Sequence, residues 1–154
     1  FSGVSEFLKA KKPDIKTFCS DNEGSGLYSY ITTNGKNWEA TGKPFVEGIG
    51  RLGEVQNMRD ILTLADGVLR VSNIDVINTI YSLIHDEGLR VGGSGGLNIC
   101  AAKELAMTLP EGSTVVTTVA DTADRYASKL FNRKWLIENG YFDDIRPQLQ
   151  YLAE

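Results

Sequence analysis

The sequence has little of what metal and redox chemistry requires. His85 is its only histidine, and its two cysteines, Cys19 and Cys100, lie far apart. One histidine cannot build a multi-histidine metal site, and the acidic residues show no ligand spacing. The cysteines form neither a disulfide framework nor a Cys-x-x-Cys pair, which points to a reducing compartment. The cytoplasm is the expected location, with the mitochondrion as the alternative. Excess positive charge is also missing: 16 Lys and Arg stand against 20 Asp and Glu, a net charge of -4, so no nucleic-acid partner is expected. The one basic cluster, Lys9, Lys11, Lys12 and Lys16, reads as a solvated helix end. No apolar run approaches membrane-spanning length and no signal peptide is visible, so no membrane partner is expected. The first residue is Phe1 rather than Met, which reads as a cut start: a processed product or a fragment.

What is present suits one α/β domain spanning residues 1–154. Hydrophobic residues make up 42% and charged residues 23%, an ordinary globular composition. Val4, Phe7 and Leu8 give residues 2–12 a helical stripe that Pro13 ends. Ile15 to Ser20 reads as a strand, Leu27 to Ile31 as a short helix, and Asn34-Gly35 as a turn. Val68 to Val71 is a second strand. Ser72 to Glu87 is the clearest helix. Ser72 can cap it, Asp75 can complete a capping box, Ile77, Ile80, Tyr81 and Ile84 supply the stripe, and Gly88 stops it. A helix running to about Leu109 follows the glycines at 92–96. Ser113 to Ala120 reads as a strand, and Asp121 to Phe131 and Arg133 to Asn139 as helices. The tail is weakly patterned. Strands alternating with helices predict a mainly parallel sheet covered by helices.

Two glycine-rich stretches could carry chemistry. Gly92-Gly93-Ser94-Gly95-Gly96 leads into a helix. Its glycines would permit positive φ and close approach of a ligand, and the helix start offers free N–H groups. Ser94 would present a hydroxyl there. The plain alternative is a flexible turn with a serine cap. Gly48-Ile49-Gly50-Arg51-Leu52-Gly53 is a literal G-x-G-x-x-G. A dinucleotide site needs a strand immediately before it, and the preceding Thr41-Gly42-Lys43-Pro44-Phe45-Val46-Glu47 is short, holds a proline and lacks alternation. Cys100 falls with Leu97, Ala101 and Leu105 and reads as a buried structural thiol. His85 reads as surface or capping, Trp38, Trp135 and Tyr126 as packing, and Arg125 is left open.

Four segments, in order, resemble the cysteine synthase and cystathionine β-synthase family of fold-type II pyridoxal-phosphate (PLP) enzymes. Phe1-Ser2-Gly3-Val4-Ser5 with Phe7-Leu8-Lys9 resembles the helix after that family's Gly-Thr-Gly-Gly-Thr phosphate loop. Glu47-Gly48-Ile49-Gly50 is similar to its Glu/Gln-Gly-Ile-Gly segment beside the cofactor. Glu87-Gly88-Leu89-Arg90-Val91-Gly92-Gly93-Ser94-Gly95-Gly96 resembles the stretch that forms its cofactor loop. Asp121 with Asp124-Arg125-Tyr126 and Leu130-Phe131 resembles its Asp-x-x-x-Arg-Tyr pattern. Gly95 stands where many members have serine or alanine, Leu97 where they often have alanine or serine, and Ala120 where a proline is usual.

The resemblance implies the C-terminal (large) domain of such an enzyme, with PLP as cofactor. It implies that Ser94 hydrogen-bonds the pyridine nitrogen and that Gly48, Ile49, Gly50, Gly93 and Asp121 line the cofactor. The family's Schiff-base lysine belongs to a Ser-x-Lys context that no lysine here shares, so no catalytic residue is expected in this chain. The implied reaction is β-replacement: O-acetylserine or serine loses its β-substituent and sulfide or a thiol adds, with the lysine of an N-terminal part as base. A neutral serine at the ring nitrogen draws electrons weakly, which favours β-elimination over transamination. The implied partners are the amino-acid substrate, sulfide or a thiol, the N-terminal part, and a second copy in a homodimer. The alternatives are cystathionine β-synthase-type activity and a non-catalytic paralogue or interaction domain with the same fold. The dinucleotide reading is separable by experiment. NAD or NADP should leave the melting temperature of the protein unchanged, and a shift abolished by Gly50→Val would establish a dinucleotide site instead.

Overall fold

The structure, a computed structural model, describes residues 1–42, 44–50 and 60–153. Arg51, Leu52 and Gly53 of the G-x-G-x-x-G lie outside the described residues, as does Lys43. Two compact units emerge: Phe1–Phe45 with Ile49–Arg70, and Val46–Gly48 with Val71–Glu154.

The first unit contains α1 (Ser2–Lys11), β1 (Phe18–Asn22), α2 (Leu27–Thr32), α3 (Ile61–Leu64) and β2 (Gly67–Val71), whose last residue belongs to the second unit. β1 and β2 pair in a small parallel sheet. Cys19, Tyr30 and Ile61 form its core, with Leu27, Ile31, Trp38, Leu62, Ala65 and Val68 packed around them. The Asn34-Gly35 turn is formed as expected, with both residues at positive φ. In α1 the expected apolar stripe is not the buried face. Val4 and Phe7 are 64% and 62% exposed, whereas Ser5 is buried.

The basic cluster is not simply solvated. Lys9 Nζ and Thr17 N–H both donate to Asp66 Oδ2, and Lys16 Nζ lies 3.2 Å from Oδ1. Asp66 N–H donates back to the Thr17 carbonyl at 2.8 Å. One carboxylate therefore ties α1 to the segments leading into both strands.

In the second unit α4 (Asn73–Glu87) packs on α5 (Gly93–Ala106). Ser72 caps α4 by accepting from Asp75 N–H at 3.1 Å, and Gly88 ends it at φ 68. The Asp75 carboxylate meets the Ser72 hydroxyl rather than the Ser72 backbone, so the cap differs from the reciprocal box. Val76, Ile77, Ile80 and Tyr81 are fully buried with Leu97, Leu130 and Leu136. The weakly patterned tail is held by two polar residues of α4. Asn73 Nδ2 donates to the Tyr141 hydroxyl at 3.0 Å, and Asn78 Oδ1 accepts from Arg146 N–H at 3.0 Å. Three expectations fail. Ser113–Ala120 forms no strand: a strand requires a second strand to pair with, and among the described residues none pairs with it. Asp121–Phe131 holds only a short 3-10 turn, Ala123–Tyr126, and the helix expected to reach Leu109 stops at Ala106. α6 (Arg133–Glu138) forms as expected, capped by Asn132 accepting from Trp135 N–H at 2.9 Å.

The Asp66 cluster makes a pH prediction. Burial by itself raises this carboxyl, but the donors from Lys9, Thr17 and Lys16 outweigh it and hold the pKa at about 2. An unfolded Asp titrates near ~3.9. A depressed folded-state pKa contributes stability that is whole above the unfolded value and is lost as pH falls through the folded one. Asp66→Asn should therefore lower the urea midpoint at neutral pH, and its deficit against wild type should shrink as pH falls from ~4 to ~2. A deficit that stayed constant over that window would show that the charge cluster contributes nothing.

Candidate functional site

The glycines at 92–96 are not a loop before a helix. Gly92 is the N-cap of α5, and Gly93, Ser94, Gly95 and Gly96 are its first helical residues. None of these four glycines has a positive φ. They are needed for room instead. A Cβ on Gly92 would lie 1.9 Å from Asp121 Oδ1, and one on Gly93 would lie 2.9 Å from Cε1 and Cζ of Tyr126. On Gly96 it would lie 2.3 Å from Ile80 Cγ1. Gly95 is less confined, with Val119 Cγ1 at 3.1 Å and Val91 Cβ at 3.3 Å.

This close packing brings Ser94, Gly93 and Asp121 together. Gly92 N–H donates to the Asp121 carbonyl at 2.9 Å, and Val91 and Thr122 form an antiparallel bridge beside it. Asp121 Oδ1 is buried without a hydrogen-bond partner. Ser94 is half-buried, and among the described residues its hydroxyl has no partner either. The first turn of a 14-residue helix adds unsatisfied N–H groups and the positive end of the helix dipole. Unpaired buried polar atoms are uncommon in folded proteins and are expected where a ligand completes the pairing. The donor set suits a heteroaromatic cofactor such as PLP: the half-buried Ser94 hydroxyl, without a partner among the described residues, would be available to a ring nitrogen.

Gly48 belongs to the same unit. Its neighbour Glu47 accepts from Lys129 Nζ at 2.7 Å, and this hydrogen bond holds the exposed Glu47 carboxyl below its usual range. The Tyr126 ring packs on Gly93, with Cε1, Cζ and the hydroxyl oxygen within 3.0 Å of where a Gly93 Cβ would sit. The sequence reading assigned Tyr126 to packing and gave Lys129 no role, because no spacing rule links residue 47 to residue 129. Ile49 and Gly50 belong to the first unit. Gly50 has φ 84, and a Cβ there would meet Pro44 Cγ at 2.3 Å, so glycine is required on both counts. Gly48 also has positive φ, with open space around it.

The decoys fall away on geometry. Cys100 is buried, and burial raises its thiol above the ordinary range. Burial likewise pushes Cys19 up to about 12. Neither is an activated nucleophile. His85 Nδ1 sits 3.0 Å from the Tyr151 hydroxyl near the end of α4. Trp38 packs on Tyr30, Trp135 packs on Tyr141, and Arg125 is exposed. Two hollows lie elsewhere. One of about 610 Å³ runs along α6 from Asn132 to Glu138. Another of about 450 Å³ is lined by residues including Ile84, Arg90, Phe131 and Tyr151. Neither touches Ser94 or Asp121. The start of α5 is the better candidate, because there the unpartnered Asp121 Oδ1 lies beside Gly92, next to the free N–H groups of the helix start.

A family model described as pyridoxal-phosphate dependent enzyme matches residues 1–121. The chain is 40% identical to cysteine synthase 1 of Neurospora crassa, over 97% of this chain and 40% of that protein. It is 41% identical to cysteine synthase 1 of Emericella nidulans, with the same two coverages. Among solved structures it resembles the O-acetylserine dependent cystathionine beta-synthase from Helicobacter pylori. That match has a TM-score of 0.71 and 34% identity, and covers 84% of this chain and 39% of the other. The chain thus spans about 40% of the length of the curated relatives it matches.

The glycines separate by how much room each needs. Adding a methyl to a helical glycine gains up to ~1 kcal/mol of helix propensity, while forcing it into a filled core costs about 1–3 kcal/mol. Gly93→Ala and Gly96→Ala should therefore be net destabilising in urea titration. Gly95→Ala should be near neutral, because its nearest neighbour is the exposed Val119. Equal effects at all three positions would contradict the packing account.

Proposed function

As the chain belongs to the pyridoxal-phosphate dependent enzyme family, we propose that it is the C-terminal part of a cysteine synthase-like enzyme. The reaction is β-replacement on O-acetylserine or serine, with sulfide as the incoming nucleophile. The observation that carries this reading is the unpartnered Ser94 hydroxyl at the first turn of α5, in a chain 40% identical to a cysteine synthase. Bound PLP supplies the electron sink for cleavage at the substrate β-carbon.

The residues of this chain bind and orient. Ser94 Oγ would donate to the pyridine nitrogen of PLP, and as a neutral group it would not hold a proton there. Gly92 and Gly93 make room for the side chains of Asp121 and Tyr126, which fill the space a Cβ would need and brace the first turn of α5. Asp121 Oδ1 offers a buried acceptor beside Gly92. The family resemblance assigns Gly48, Ile49 and Gly50 to cofactor binding as well, and both glycines have positive φ. The covalent lysine comes from outside this chain.

A second reading has its own support. The Helicobacter pylori neighbour is an O-acetylserine dependent cystathionine beta-synthase, so the acceptor could be homocysteine. Parallel assays of the full-length protein with sulfide and with homocysteine separate the two.

Ser94→Ala in the full-length protein tests the site. The fold and the cofactor content should persist, because a small residue replaces a small one. Turnover should drop about fivefold for a lost hydrogen bond of ~1 kcal/mol, and further if the nitrogen is left buried and unsatisfied. Wild-type turnover in this variant, with every donor tried, would remove Ser94 from the ring nitrogen.

A further inference from the structure

Val46, Glu47 and Gly48 belong to the second unit, although Phe45 before them and Ile49 after them belong to the first. Two contacts hold these three residues. Val46 is 2% exposed and anchors one end by burial. Glu47 Oε1 accepts from Lys129 Nζ at 2.7 Å, across 82 positions of sequence. Among the described residues, no other hydrogen bond of normal geometry reaches this segment. Gly48 does nothing to fix itself: its φ is 79, and a Cβ built there would meet nothing within 4 Å. Its position is therefore set through Val46 and Glu47. The lysine end is firm. Lys129 N–H donates to the Tyr126 carbonyl at 3.0 Å, the Lys129 carbonyl accepts from Asn132 N–H at 3.1 Å, and the next residue, Leu130, is fully buried.

We propose that Lys129 is a positioning residue for the cofactor site: its ion pair with Glu47 holds the backbone at Gly48 in the arrangement that receives cofactor and amino-acid donor. The pair is a poor device for stability, because both side chains are partly exposed and water screens them. It suffices for positioning, because a segment with so few other contacts needs only a small bias between two arrangements. Lys129 acts through Glu47 alone, so it changes affinity and not the chemical step. When only a fraction of molecules holds the binding-competent arrangement, apparent affinity falls by that fraction. The hydrogen bond from Lys129, then its charge, holds the Glu47 carboxyl below its usual range, so Glu47 is ionised at neutral pH. The proposal rests on the reading of Gly48 as part of the cofactor site.

The test uses the full-length protein with Lys129→Met, Glu47→Gln, Lys129→Arg, and Lys129→Glu with and without Glu47→Lys. Lys129→Met and Glu47→Gln should each raise KM for the amino-acid donor about two- to fivefold, with kcat and melting temperature preserved. Lys129→Arg should restore the wild-type KM. Lys129→Glu alone should be worse than Lys129→Met, and adding Glu47→Lys should recover most of the loss. At ~1 M salt, where the screening length falls to ~3 Å, the KM values of wild type and Lys129→Met should converge. An unchanged KM in Lys129→Met, no rescue by arginine and by the charge swap, or a loss that follows a lowered melting temperature or a failure to fold would each overturn the proposal. Gly48→Ala, strained at positive φ, reports separately on the reading beneath it. If it alters donor KM or the cofactor absorption spectrum while Lys129→Met alters neither, the proposal alone falls. If Gly48→Ala leaves both unchanged, Gly48 is not in the cofactor site and both fall.

Discussion

The missing side chain at Gly96 is the constraint on which the second unit depends. It lets α5 lie directly against Ile80 and Val76 of α4. Helix positions four apart lie on the same side, so the approach at Gly96 also sets where Gly92 and Gly93 fall. Those two residues then meet Asp121 and Tyr126 at distances that no side chain could share. The position of Ser94 follows from packing on both sides of it and not from a loop closing over a ligand. A site built on a helix braced in this way holds its geometry better than one on a mobile turn.

Charge contributes less to this arrangement than its abundance suggests. The pairs Arg90–Asp124 and Lys129–Glu47 are exposed, and such pairs are worth ~0–1 kcal/mol. Buried polar groups with hydrogen-bond partners do more. Asn73 and Asn78 hold the tail, and the Tyr81 hydroxyl donates to the Leu130 carbonyl from within the core. Removing any one of these leaves a buried group unsatisfied, which costs more than an exposed ion pair returns.

Features that depend on neighbouring residues were legible in the sequence. Ser72 and Gly88 bracket α4 because capping is decided by local backbone, and Ile77, Ile80 and Tyr81 are buried because their spacing puts them on one face. The family, too, could be read from four short segments in order. Features that depend on distant residues were not legible. Ser113–Ala120 has strand-forming residues, but a ladder belongs to two segments at once, and among the described residues no strand pairs with it. Glycine carries two meanings, freedom of φ and absence of bulk. At Gly48 and Gly50 the first applies, whereas at Gly93 and Gly96 only the partners Tyr126 and Ile80 reveal the second. The helix carrying the stripe of Val4, Phe7 and Leu8 is present, but Val4 and Phe7 are exposed, since periodicity gives a face but not what covers it.

The two cysteines share one chemical state. Both are buried and both have thiols raised by burial, Cys19 to about 12. Peroxide, disulfides and polysulfides react with the thiolate, and near neutral pH these side chains supply almost none. Sulfenylation, mixed-disulfide formation and persulfidation therefore have no ready foothold on either thiol. The folded chain can sit among reactive sulfur species without its own sulfur atoms entering the traffic.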